Sequence, residues 1–301
     1  MNKGLKIYGV ITSIGMLIVL LQGALVTKTE SGDGCGSTWP LCFGEVVPTS
    51  PAVETIIEYS HRLVSGLLGI MVIILAFWAW KKIPHIRETK FMAIMAVLFI
   101  IFQGLMGAAA VVWGHSDIVL ALHFGISAIS FATVVLLTVL AFEDGRRSPA
   151  PQVTKGFRNY LIFVLAYCYA AIYTGAYVKH SEATYACQGF PLCNGQVIPD
   201  MSGSIGYEIG IHFAHRIFGM LLFVFLLILM ILAIKHYSGS KAILWSSILA
   251  FILVIGQITA GVSILFADSY LTPALFHAMI ISLLFTVLSY MVMISTRKPS
   301  I

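Results

Sequence analysis

Charge is what this 301-residue chain has least of: Asp, Glu, Lys and Arg make up 10% of it, against 59% hydrophobic residues. A soluble domain carries about 25% charged residues, so a water-soluble globular class is excluded. Other shortages narrow the choice among membrane chemistries. The five cysteines include no Cys-x-x-Cys pair, the spacing of thiol oxidoreductases. The long apolar runs have no interior proline breaks, whereas transporter binding sites are often built on interrupted helices. Glu58 and His61 form a Glu-x-x-His step, but a di-iron carboxylate bundle needs further carboxylates inside its helices. The runs do not supply that set.

Basic residues are also scarce in every second loop. Lys3, Lys6, Lys81, Lys82, Arg87, Lys90, Arg146, Arg147, Lys155, Arg158, Lys235, Lys241, Arg297 and Lys298 lie in the N-terminus, alternate loops and the tail. The remaining loops hold only Lys28 and Lys179, with Glu30, Asp33, Glu45, Glu182 and Asp200. Because positive loops stay cytoplasmic, both termini are expected inside, with the loops near 28–55, 113–117, 179–206 and 267–270 outside. The net charge of +5 therefore reflects topology and argues for no nucleic-acid partner.

What is present is length of apolar sequence. Spanning a bilayer takes about 20 mostly apolar residues, and eight such runs occur, near 7–27, 56–80, 91–112, 118–142, 157–178, 207–234, 242–266 and 271–294. The first is longer than a signal-peptide core and has an internal counterpart, so it is expected to be a retained helix. The fold class is an all-α integral membrane protein with eight transmembrane helices, the lipid bilayer being its solvent.

The chain repeats itself. "GALVTKTESGDGCGSTWPLCFGEVVP" at 23–48 aligns with "GAYVKHSEATYACQGFPLCNGQVIP" at 175–199, pairing Gly23 with Gly175, Cys35 with Cys187, Pro40 with Pro191 and Cys42 with Cys193. At one constant offset His61 matches His215, Gln103 matches Gln257, Gly107 matches Gly261 and His123 matches His277. The charged, Pro-containing stretch "FEDGRRSPAPQVTKG" at 142–156 separates the copies, as a boundary should. Two tandem four-helix bundles, 1–148 and 149–301, related by a pseudo-two-fold axis along the membrane normal, are expected.

Four of the nine histidines, His61, His123, His215 and His277, fall inside spans, where an ionisable residue is a functional candidate. His85, His236, His115 and His180 are in or beside loops and read as solvated. The four intramembrane histidines lie at matched depth, roughly 8–13 Å below the outer surface at 1.5 Å per residue. Each half can thus present two imidazoles at one level across a bundle. A single histidine would more simply hydrogen-bond a neighbouring helix. Four in a repeat point to a metal or haem, since neutral imidazole is an iron ligand. Catalytic zinc wants a third protein ligand. Gly66, Gly69, Gly104, Gly107, Gly125, Gly219 and Gly261 give room for a bulky ring or, equally, close helix packing. Arg62 and Arg216 follow the first histidine of each half; they either snorkel or neutralise haem propionates.

The halves differ where Glu58 is replaced by His212. A buried carboxyl can move protons, whereas an interfacial one is merely solvated. The first histidine pair is thus the candidate reactive site and the second a stable cofactor site. Cys35/Cys42 and Cys187/Cys193 sit in equivalent outer loops, where short-range disulfides are expected. They act as a loop staple or as a redox pair. Cys168, inside a span, is an inert small hydrophobe.

The stretches "GALVTKTESGDGCGSTWPLC", "EYSHR", "LALHFGIS", "YTGAYVKH", "HFAHR" and "ALFHAM" together resemble the haem A synthase family, in its bacterial type with a cysteine pair in each half, over nearly the whole chain. The resemblance implies conversion of haem O to haem A, a porphyrin methyl becoming a formyl group through two hydroxylations and loss of water, for cytochrome oxidase assembly in the cell membrane. It implies that His215 and His277 ligate a resident haem b. Substrate haem O then sits near His61 and His123, with Glu58 important for activity and Cys35–Cys42 a disulfide aiding haem handover or electron entry. Haem O synthase is the upstream partner it implies, the cytochrome oxidase assembly machinery the destination, and a membrane electron donor of unspecified identity a further requirement. Homo-oligomerisation stays open. His212 departs from the family pattern, standing where an acid or amide is expected, and takes no ligand role. Competing classes are a bis-histidine di-haem electron carrier, a haem transporter or chaperone, and a thiol oxidoreductase.

Overall fold

Leu, Ile, Val, Phe and Ala dominate each apolar run, and in lipid such a run satisfies its backbone only by closing its own hydrogen bonds. Among the described residues eight long helices result: α1 (Lys3–Lys28), α2 (Val53–Lys82), α3 (Thr89–Trp113), α4 (Asp117–Glu143), α5 (Lys155–His180), α6 (Gly206–His236), α7 (Lys241–Phe266) and α8 (Leu271–Ser295). The computed structural model describes residues 2–49, 51–114, 116–145 and 150–297, without the side chain of Asp117. His115, Arg146, Arg147 and Lys298 lie outside the described residues. No strand occurs among the described residues; two isolated bridges, Cys42 with Glu45 and Cys193 with Gln196, close the loop turns.

All eight helices are long and apolar enough to cross a membrane. Their 25 to 31 residues correspond to about 38–46 Å, more than the hydrocarbon core of about 30 Å. The chain is a multi-pass, all-helical membrane protein. On α1 the stripe Ile7, Ile11, Ile14 and Ile18 is exposed, with the spacing of one helix face; acyl chains cover such a face. The opposite stripe, with Leu5, Thr12, Met16, Leu20 and Ala24, is buried.

The chain forms two compact units, Met1–Ser148 and Pro149–Ile301. In the first, α1 packs on α2 and α4, and α3 on α2 and α4, closing a four-helix ring. In the second, α5 packs on α6 and α8, and α7 on α6 and α8. One tyrosine bond recurs in both. Tyr8 Oη donates to the Met71 carbonyl at 3.2 Å, and Tyr160 Oη to the Phe225 carbonyl at 2.8 Å. Helix starts recur too: Asn2 accepts from the Leu5 N–H and Thr154 from the Phe157 N–H, satisfying donors that a helix N-terminus leaves open.

The loop after the first helix of each unit is one motif used twice. A 3₁₀ turn, Ser31–Asp33 or Ala183–Tyr185, follows a left-handed residue, Glu30 or Glu182. A disulfide then closes each loop, Cys35–Cys42 and Cys187–Cys193. Each also carries a cis X-Pro bond, Trp39–Pro40 and Phe190–Pro191. All four bridged cysteines are buried.

Candidate functional site

The four intramembrane histidines stand at corresponding depths below the disulfide loops. His61 is in the third turn of α2 and His215 in that of α6, while His123 and His277 are in the second turns of α4 and α8. Each ring faces a glycine on an adjoining helix. A Cβ at Gly175 would lie 2.9 Å from His215 Cε1, and one at Gly261 2.9 Å from His277 Cε1, closer than real Cβ contacts allow. The first unit has the same seats at slightly longer range, 3.2 Å from Gly23 to His61 and 3.3 Å from Gly107 to His123.

In the second unit the rings are locked. His215 Nδ1 and Thr174 Oγ1 are 2.9 Å apart. The threonine hydroxyl gives its one proton to the Ala171 carbonyl at 2.8 Å, so it accepts the Nδ1–H of His215. His277 Nδ1 donates to the Gln257 carbonyl at 3.0 Å. A hydrogen bond at one ring nitrogen assigns metal binding to the other, so both neutral rings carry the lone pair on Nε2. The ring centres are 6.4 Å apart, with planes inclined at 75°. With metal–imidazole bonds of about 2.0–2.1 Å, two rings sharing one ion through Nε2 have centres roughly 6–6.5 Å apart. Among the described residues no group of three or more His, Cys, Asp or Glu converges. A two-ligand site suits an ion whose other ligands arrive with it, as haem iron's do.

In the first unit the corresponding groups are held differently. The Gln103 amide nitrogen lies 3.2 Å from His123 Nδ1 and 3.0 Å from its Nε2, and it also donates to the His123 carbonyl at 3.2 Å and to Ser127 Oγ. The amide thus sits across the nitrogen edge of the ring. His61 Nδ1 is buried and has no hydrogen-bond partner. The glycines differ in what surrounds them. At Gly66, Gly104 and Gly219 a Cβ would meet nothing within 4 Å and at Gly69 it would meet Ile100 at 3.9 Å, whereas Gly107 and Gly261 seat histidines.

Glu58 is buried, 3% exposed, which removes the solvated reading. Its Oε2 accepts the Cys35 N–H at 2.7 Å, and its Oε1 pairs with Arg62. Arg62 also donates to the carbonyls of Thr38 and Leu41 at 2.6 and 2.9 Å. Arg216 reaches the carbonyls of Leu192, at 3.1 Å, and Cys187. The two arginines therefore pin the disulfide loops to the helices, a third use beside snorkelling and propionate binding. His212, also buried, bonds the Ala183 carbonyl through Nδ1 at 3.0 Å. It braces the second loop where Glu58 braces the first. Away from the site, His85 is 3.4 Å from Asp144, with its side chain largely exposed, and Cys168 is buried with a free thiol.

Sequence reasoning missed Thr174, Gln103 and the Gln257 carbonyl as partners of the rings. Gln103 and Gln257 did stand out as matched polar residues in the repeat. Thr174 gave no such signal, because its counterpart is Gln22.

Fold and site together define a class: an eight-helix membrane protein of two corresponding four-helix units, each with buried histidines beneath a disulfide loop. Within that class, the chain belongs to the cytochrome oxidase assembly protein family, whose model matches residues 6–289. A protein named heme A synthase from Alkalihalophilus pseudofirmus is 62% identical over 298 residues, covering 99% of each chain. One of the same name from Halalkalibacterium halodurans is 62% identical over 302 residues, covering both chains fully. Another, from Bacillus cereus, is 48% identical over 301 residues, covering 99% of this chain and 95% of the relative.

Proposed function

We propose that this chain is a haem A synthase, a membrane oxidoreductase that converts a methyl substituent of haem O to the formyl group of haem A for cytochrome oxidase assembly. Similarity to proteins of that name along the whole chain supports the activity. The observation that carries the division of labour is the unequal hold on the histidines. Thr174 and the Gln257 carbonyl orient His215 and His277 at a 6.4 Å separation, and these two rings would hold a resident haem b. Such a haem, when bound, supplies electrons.

The first unit is the substrate site. His61 and His123 hold haem O, and neither ring is fixed as its counterpart is: His61 Nδ1 lacks a partner and His123 lies under the Gln103 amide. Oxidation at the porphyrin edge requires one ligand to give way, and product must leave afterwards. A His61 ring with no bond at Nδ1 suits both. The methyl group is hydroxylated twice, each step consuming one O2, two electrons and two protons, placing one oxygen atom on the carbon and releasing the other as water; the resulting geminal diol loses water to leave the formyl group. Glu58, one helical turn before His61, takes and returns the protons of these steps. Arg62 and the Cys35 N–H orient its carboxyl.

The excess of Lys and Arg in alternate loops supports a cell-membrane topology with both termini cytoplasmic and the disulfide loops outside. The repeat supports reading 1–148 and 149–301 as two copies of one four-helix unit. Haem O synthase is the upstream partner, the oxidase assembly machinery the recipient, and a membrane donor the source of electrons. The test is pigment chemistry. Membranes containing this protein, supplied with haem O, are expected to yield a formyl haem on acid extraction. Haem b with unchanged haem O would instead mark a di-haem electron carrier.

A further inference from the structure

At the place where the second unit makes a hydrogen bond, the first leaves two complementary polar atoms unpaired. His215 Nδ1 donates to Thr174 Oγ1. Thr174 directly precedes Gly175, the glycine that seats the His215 ring, and Gln22 directly precedes Gly23, which seats His61. Gln22 therefore occupies the position of Thr174. Yet His61 Nδ1 and Gln22 Oε1 are both buried without a hydrogen-bond partner. One is a donor when Nε2 carries the lone pair, and the other is an acceptor. Buried polar atoms are normally paired, so each exception needs a cause.

The two rings also sit differently. From a Cβ on the glycine, Nδ1 is 4.0 Å away for His61 and 3.5 Å for His215, with Cε1 at 3.2 and 2.9 Å. The Cε1–Nδ1 edge of His61 thus stands a few tenths of an ångström farther from α1 than that of His215 does from α5. Thr174 is short and anchored by its own bond to the Ala171 carbonyl, so its grip on His215 is permanent. A glutamine amide hangs on a longer side chain and can make or release the same bond.

We propose that Gln22 is a positioning residue of the first site: as haem O seats on His61, the Gln22 amide oxygen accepts the Nδ1–H and fixes the ring with Nε2 toward the iron. The second unit holds the equivalent bond at all times; the first makes it on binding and breaks it when product leaves. This inference rests on the reading of the first unit as the substrate site.

The test uses full-length purified protein loaded with haem O, which extraction separates from haem b. Two readouts are taken: the rate of haem O transfer to excess apomyoglobin, and the low-spin ferric electron paramagnetic resonance signal of the bound haem O. Gln22→Leu is expected to speed release by roughly 10–100-fold, the usual effect of removing a ligand's supporting bond, and to shift the signal. Gln22→Thr, which copies the second unit, is expected to bring both readouts back toward the unsubstituted protein. Release and signal unchanged in Gln22→Leu would overturn the proposal, as would Gln22→Thr behaving like Gln22→Leu. His61→Ala separates the two layers of argument. If it retains haem O with an unaltered signal, the substrate-site reading fails. If it loses haem O while Gln22→Leu does not, only the role of Gln22 fails.

Discussion

Beneath the first disulfide loop a carboxylate accepts a backbone N–H, from Cys35 to Glu58 at 2.7 Å. Beneath the second an imidazole bonds a backbone carbonyl, from His212 to Ala183 at 3.0 Å. The same helical position braces the same loop with opposite hydrogen-bond polarity. The arginine one turn on adjusts accordingly. Arg62 pairs with Glu58, whereas Arg216, lacking an acid there, takes the Cys187 carbonyl. Duplication has kept the scaffold of helices, glycine seats, disulfides and tyrosine bonds, and changed the few polar contacts that decide how firmly a ring is held and whether a carboxyl stands beside it.

The largest effect should come from erasing that polarity difference. Glu58→Gln keeps an acceptor for the Cys35 N–H but removes the carboxyl, so haem A formation should fall by about 10²–10⁴-fold, the range of acid–base catalysis, with haem content unchanged. Normal haem A output from this variant would sink the proton role. Next come the glycine seats. Gly175→Ala or Gly261→Ala pushes a Cβ to 2.9 Å from a ring, and haem b retained per protein should drop by about 10-fold or more. Gly23→Ala and Gly107→Ala, at 3.2 and 3.3 Å, should have milder effects on haem O retention. Equal losses at all four would remove the contrast in how the rings are held.

The arginines sharpen the comparison at the loops. Arg62→Ala leaves a buried carboxylate without its cation, a loss of about 3–5 kcal/mol. Arg216→Ala gives up two bonds to neutral carbonyls, each worth about 1.5–3 kcal/mol; Arg62→Ala gives up two such bonds as well, so the unpaired Glu58 carboxylate is its additional loss. Thermal unfolding in detergent should show the larger drop for Arg62→Ala; the reverse order would mean the ion pair does not stabilise the loop. Smallest of all should be serine replacement of Cys35, Cys42, Cys187 and Cys193. If the bridges staple loops already pinned by arginine, haem A formation is reduced but persists. Complete loss with haem content intact would instead assign the thiols a redox step.

The eight spans were legible because lipid leaves an apolar run one way to satisfy its backbone. Their ends were less so. α1 begins at Lys3 and α2 at Val53, each a few residues before its apolar run, because polar side chains continue a helix into the interface. The histidine set was legible because costly residues recurred at a fixed offset. What holds each ring was not. The acceptor for His277 is a main-chain carbonyl, Gln257, which has no letter of its own, and Thr174 is hidden by its mismatch with Gln22. The buried state of Glu58 depends on Cys35, 23 residues earlier, a closure that only the folded loop brings about.

The unequal hold on the two histidine pairs is tested most directly by the haem b content of four purified variants, His61→Ala, His123→Ala, His215→Ala and His277→Ala, measured by extracted pigment alongside haem A formation. The account predicts that His61→Ala and His123→Ala abolish haem A yet keep most of their haem b, while His215→Ala and His277→Ala are depleted of haem b. Equal loss of haem b in all four would contradict it.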